Sequence, residues 1–122
     1  MKSDRDESII LVVDDEPECR EILAALLTEE GYVVVCAEDG RQALDYMSSS
    51  TPGLILLDLM MPNMSGWEFL ERQKQDPRLA AVPVVLISGS GLARDTDVSA
   101  IVRKPIDFAV LKKIVEQNRL KN

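Results

Sequence analysis

Residues 54–62 read Leu-Ile-Leu-Leu-Asp-Leu-Met-Met-Pro, and this stretch decides the fold. Four consecutive aliphatic residues end in a single carboxylate, Asp58, and a proline follows four residues later. A short unbroken apolar run bounded by turn residues reads as a strand buried on both faces, as in a parallel sheet. An aspartate where such a strand ends lies at the rim of the sheet, where α/β proteins place their chemistry. A turn-forming Asp would look the same in isolation. However, Asp14-Asp15 ends a second aliphatic run, residues 9–13, and Lys104-Pro105 follows a third. A turn role does not account for that set.

Working outward, residues 32–37 are rich in β-branched side chains and read as a second strand. Residues 82–87 form a fourth, ending at Ser88, and residues 100–102 a brief fifth. Between them fall helical signals. Glu16-Pro17 opens the first helix, with Cys19, Ile22, Leu23, Leu26 and Leu27 at helical spacing and Gly31 placed to end it. Residues 40–47 form a short second helix with Ala43, Leu44 and Met47 inward, and residues 48–53 read as a loop. Ser65 with Glu68 is a capping-box signature for a third helix through about Gln75. Residues 92–99 show little apolar periodicity, so a fourth helix there is short or absent. Asp107 caps a last helix with Phe108, Leu111, Ile114 and Val115 inward. Strands alternating with helices imply βαβ crossovers and a parallel sheet. The expectation is an α/β three-layer, doubly wound sandwich with five parallel strands in the order 2-1-3-4-5, flavodoxin-like. Residues 1–8 are a flexible N-terminal lead and residues 9–122 the single domain.

Composition narrows the function. A 46% hydrophobic content excludes a disordered acidic chain. A net charge of −7 argues against a nucleic-acid surface, which needs a basic footprint. No apolar run spans a membrane and no signal peptide is present, so a cytoplasmic protein is expected, with Cys19 and Cys36 as small core residues. The absence of histidine rules out His-ligated metals and His-based triads.

In the 2-1-3-4-5 order, strands one and three are neighbours at the switch point, so Asp14, Asp15 and Asp58 meet at one edge. Three carboxylates together repel unless a cation neutralises them. Hard oxygen donors point to Mg²⁺. Ser88 and Lys104 add a hydroxyl and an ammonium from strands four and five, which together make a phosphoryl-transfer site. Glu16 reads as a helix-start charge favoured by the dipole, and Trp67, Phe69 and Leu70 as core or half-exposed helix residues.

Asp14-Asp15, residues 57–66, Ser88-Gly89 and Lys104-Pro105 together resemble the receiver domain of two-component response regulators, a resemblance that spans residue 9 to about 120. It implies that Asp58 is the phosphoacceptor, attacking a phosphohistidine on a sensor histidine kinase or histidine phosphotransfer protein. It implies Mg²⁺ held by Asp15, Asp58 and the Met60 backbone carbonyl, with Asp14 acting through water. Lys104 would pair with the phosphoryl oxygens, ahead of a cis bond to Pro105. Ser88 would turn toward the phosphoryl group, and Gly89 would leave its approach open. Met60 and Ser90 would tune its lifetime. Two features depart from the family pattern. Ile101 stands where an aromatic residue is usual, and the segment from Ser88 to Lys104 is short. Three readings follow: a phosphoacceptor signalling module rather than a turnover enzyme, a Mg²⁺-dependent phosphatase, and a binding module that works without phosphorylation. Met60 stands where the phosphatase would need a second acid. No output domain follows the last helix, so the chain reads as a stand-alone regulator, a relay intermediate or an excised receiver; its downstream protein partner is not written in it.

Overall fold

The computed structural model describes residues 5–59, 61, 64–89 and 98–118. Their strands are β1 (Arg5–Val13), β2 (Val33–Ala37), β3 (Thr51–Asp58), β4 (Val84–Ser88) and β5 (Ala100–Arg103). Helices α1 (Pro17–Glu29), α2 (Gly40–Met47), α3 (Gly66–Lys74), α4 (Pro77–Ala80) and α5 (Phe108–Asn118) alternate with them. All strand pairs are parallel, in the order β2-β1-β3-β4-β5. This is the expected flavodoxin-like sheet.

The central strands are buried on both faces, which is why they read as unbroken apolar runs. Alternation along them still sorts side chains into two layers. Leu11, Val13, Ile55, Leu57 and Leu86 pack with Ala43, Met47, Phe69 and Leu70 on one face. Ile10, Val12, Leu54, Leu56, Val85 and Ile87 pack with Leu23, Leu27, Leu111 and Val115 on the other. Truncating any of these leucines to alanine costs about 2–5 kcal/mol, since each is buried.

Local chemistry sets the helix ends. Gly31 has φ 95°, and the Gly31 and Tyr32 N–H groups donate to Thr28 O and Leu27 O. That left-handed closure of α1 needs a glycine. The side chains of Asp39, Ser65 and Asp107 cap α2, α3 and α5.

Several expectations are corrected. β1 begins at Arg5, inside the stretch assigned to a flexible lead, and pairs Arg5 with Thr51 across a register shift. β3 correspondingly starts at Thr51, inside the expected loop, because the extended β1 supplies Arg5 and Asp6 as partners for Thr51 and Pro52. After α3, Asp76 caps the one-turn α4, where only a break was expected. Arg78 of this turn donates to Met47 O, Ser50 O and Thr51 Oγ1, tying α2 to the start of β3. The region expected to hold a short or absent fourth helix is residues 92–99, of which only Val98 and Ser99 are among the described residues. Ile22 and Phe108 face outward, 52% and 37% exposed, because α1 and α5 each bury only a narrow stripe. Cys36 is exposed and Cys19 half-buried, so neither is a core residue.

Candidate functional site

Strand register builds the site. Val13 pairs with Leu57, so the next residues, Asp14 and Asp58, stand level on adjacent strands. Asp58 pairs with Ile87, and Ser88 ends β4 beside it. Lys104 N–H donates to Ser88 O at 2.9 Å, carrying the lysine to the same edge. The Lys104-Pro105 peptide is cis.

At this edge Asp14, Asp58 and Ser88 are 1%, 4% and 2% exposed. The Lys104 ammonium lies 3.6 Å from Asp58 Oδ2 and 3.3 Å from Glu16 Oε1. Asp14 Oδ1 accepts the Glu16 N–H at 2.9 Å, while Arg20 donates to the Asp14 carbonyl at 2.8 Å. Among the described residues, Asp14 Oδ2 and Ser88 Oγ are buried without a hydrogen-bond partner. Buried polar atoms are rarely left so, and two at one edge mark a place built for something else. Burial lowers the proton affinity of Lys104, but Asp58, Asp14 and Glu16 outweigh it, so its pKa is raised and it stays an ammonium. Burial, then a hydrogen bond with Asp14, pushes the Cys19 thiol up to about 12, leaving it protonated and unreactive.

Carboxylate oxygens of Asp14, Glu16 and Asp58 lie within 4.8 Å of one another. Three anions against one ammonium leave two negative charges, which a divalent cation matches. Oxygen donors and an unpartnered buried carboxylate oxygen fit Mg²⁺. Of the residues read from the sequence, Asp14, Asp58, Ser88 and Lys104 come together here. Asp15 is half-buried beside them and outside the three-residue set. Gly89 directly follows β4 next to Lys104, where a Cβ would sit 3.7 Å from the lysine side chain. Met60 and Ser90 lie outside the described residues.

Glu16 was read as a helix-start charge, yet its side chain makes no cap hydrogen bond and joins the acidic set instead. The available signal was its position directly after Asp14-Asp15, before a proline that fixes the helix start. Gly66 was missed as well. A Cβ there would come 2.8 Å from Leu59 Cα and 3.0 Å from Asp58 O, so the first turn of α3 abuts the backbone of the phosphoacceptor candidate.

Comparison with known proteins points the same way. The family model of the response regulator receiver domain matches residues 10–121. Response regulator Rre1 of Synechocystis sp. is 35% identical over 113 residues, covering 87% of this chain and 49% of that protein. Response regulator PleD of Caulobacter vibrioides is 41% identical over 108 residues, covering 84% of this chain and 24% of that protein. The chain thus spans half or less of these two relatives. The structure of response regulator TrrA from Thermotoga maritima, in complex with Mg²⁺ and BeF, superposes with a TM-score of 0.81 at 34% identity, covering 89% of this chain and 96% of that one. No described helix is long and apolar enough to cross a membrane.

Proposed function

Because the chain belongs to the response regulator receiver-domain family, we propose that Asp58 accepts a phosphoryl group from a phosphohistidine of a sensor histidine kinase or histidine phosphotransfer protein. The observation that carries this is a buried strand-end carboxylate 3.6 Å from a lysine ammonium, beside an unpartnered Asp14 oxygen. Family members act as signalling modules, and the Asp cluster fits a phosphoacceptor.

In the reaction, an Asp58 carboxylate oxygen attacks phosphorus, the P–N bond breaks, and the imidazole leaves with the bonding pair. The product is an acyl phosphate on Asp58. Lys104 pairs with the phosphoryl oxygens as negative charge moves toward Asp58, and the burial of Asp58 strengthens that pairing. Ser88 Oγ, with no partner among the described residues, turns to the phosphoryl group and reports its presence. Asp15, Asp58 and the Met60 carbonyl would hold Mg²⁺ directly and Asp14 through water, and the ion would offset the charge of the phosphoryl oxygens. Gly89 leaves the approach open, while Met60 and Ser90 tune how long the group lasts. The net charge of −7 suits a cytoplasmic module that meets proteins rather than nucleic acid or membrane.

Incubation with acetyl phosphate and Mg²⁺, followed by mass spectrometry, tests it. One added phosphoryl group is expected, absent in Asp58→Asn and in EDTA. Labelling that persists in either would overturn the assignment.

A further inference from the structure

We propose that Glu16 is an exchangeable carboxylate of this site: it holds Lys104 when no cation is present and turns to the cation when one binds, leaving Lys104 to Asp58 and its phosphoryl group. This rests on the reading of the edge as a Mg²⁺-dependent phosphoacceptor site.

The backbone of Glu16 is fixed while its side chain is free to move. Its N–H is held by Asp14 Oδ1 at 2.9 Å, and its carbonyl accepts the Arg20 N–H at 3.0 Å. It is the N-cap residue of α1, but its carboxylate makes no cap hydrogen bond. The side chain is 64% exposed, against 5% for Asp58 and 26% for Lys104. Of the three partners, Glu16 therefore loses the least hydration-compensated contact when it moves.

Its reach covers both destinations. Oε1 lies 3.3 Å from Lys104 Nζ, and a Glu16 carboxylate oxygen lies within 4.8 Å of ligand atoms of Asp14 and Asp58. The ammonium is shared between two carboxylates in the metal-free protein, and Glu16 is the nearer. A divalent cation entering beside the buried, unpartnered Asp14 Oδ2 repels that ammonium and attracts Glu16. Exchange then relieves both: the cation gains a carboxylate, directly or through a water, and Lys104 settles on the Asp58 side. An exposed Glu-Lys pair with no further role contributes little and would be indifferent to Mg²⁺.

Calorimetric titration of MgCl₂ into the unphosphorylated protein separates these roles, and needs no phosphotransfer. Glu16→Gln keeps the side-chain shape and is expected to weaken Mg²⁺ binding about tenfold, the lower end of what supporting groups contribute to metal affinity. Lys104→Met removes the competing cation and is expected to tighten binding. In the Lys104→Met background, Glu16→Gln should still weaken it by at least as much. An unchanged dissociation constant in Glu16→Gln, or a loss that disappears once Lys104 is gone, would overturn the exchange. If wild type titrates and Asp14→Asn does not, the site stands whatever Glu16 does. If wild type itself takes up no Mg²⁺, both the site reading and the exchange fall.

Discussion

Replacing Asp14 with asparagine should stabilise the metal-free protein. The substitution preserves the Oδ1 acceptor that receives the Glu16 N–H and removes the charge from a side chain that is 1% exposed. Ligand oxygens of Asp14, Asp58 and Glu16 lie no more than 4.8 Å apart. Two unit charges at that separation repel by roughly 3.5 kcal/mol at an effective dielectric near 20. Glu16 is largely hydrated and adds less. Lys104 attracts all three carboxylates and offsets part of the repulsion, so a net gain of about 1–2 kcal/mol is expected for Asp14→Asn in EDTA. For a domain of this size that corresponds to a rise in melting temperature of roughly 4–8 °C. Asp58→Asn should gain less, because it gives up the 3.6 Å contact with Lys104. With Mg²⁺ near 100 times its dissociation constant, wild type recovers about 2.7 kcal/mol by binding only the native state, and the order of stability reverses. Urea and thermal melts in EDTA and in Mg²⁺ check both halves. A lower midpoint for Asp14→Asn in EDTA would refute the reasoning, since it would show that Oδ2 is satisfied and structural.

Two further outcomes follow from the same edge. Gly66→Ala drives a Cβ into Leu59 Cα and Asp58 O, so a loss of about 1–3 kcal/mol is expected in urea melts, together with weaker Mg²⁺ binding; unchanged values in both would show that α3 shifts freely. The Cys19 thiol, raised from 9.0 to about 12 chiefly by burial, binds its proton more tightly folded than unfolded. Its contribution is complete below pH 9 and is lost as pH rises toward 12. Urea midpoints at pH 8 and pH 10 should therefore fall further for wild type than for Cys19→Ala, and parallel losses would exclude the thiol as the cause.

The sheet and four of the site residues were legible because they obey one-dimensional rules. Apolar runs at residues 9–13, 54–57 and 82–87 mark strands buried on both faces, and whatever ends such strands shares a rim. Asp14, Asp58, Ser88 and Lys104 were found in this way. The misreadings have a different origin. Thr51-Pro52-Gly53 carries loop chemistry, yet it becomes strand because β1 reaches back to Arg5 to pair with it. Ile22 and Phe108 have helical spacing, which gives the side of a helix but not how wide a stripe the neighbouring sheet covers. Glu16 matters through its distance to Lys104, 88 positions away, and Gly66 through the tight fold of its loop back onto Asp58 and Leu59. Spacing within a segment cannot carry that information.

The register of β1 against β3 also bears on how this chain tolerates changes of length. Side chains alternate between the two faces, so deleting or adding one residue inside 9–13 or 54–57 exchanges the two core layers of that strand and displaces Asp14 or Asp58 by a step. The turns at the opposite rim, near residues 31–32, 48–50 and 81–83, are held by local hydrogen bonds such as Gly31 N–H to Thr28 O and Arg78 to Ser50 O, but a change of length there leaves the face of every strand residue unaltered. Heritable insertions should accumulate at that rim, and a fluorescent tag or a whole foreign domain spliced there would leave the acidic edge in place. The rim that carries the acidic edge is thus fixed by counting, whereas the opposite rim is fixed only by its local contacts.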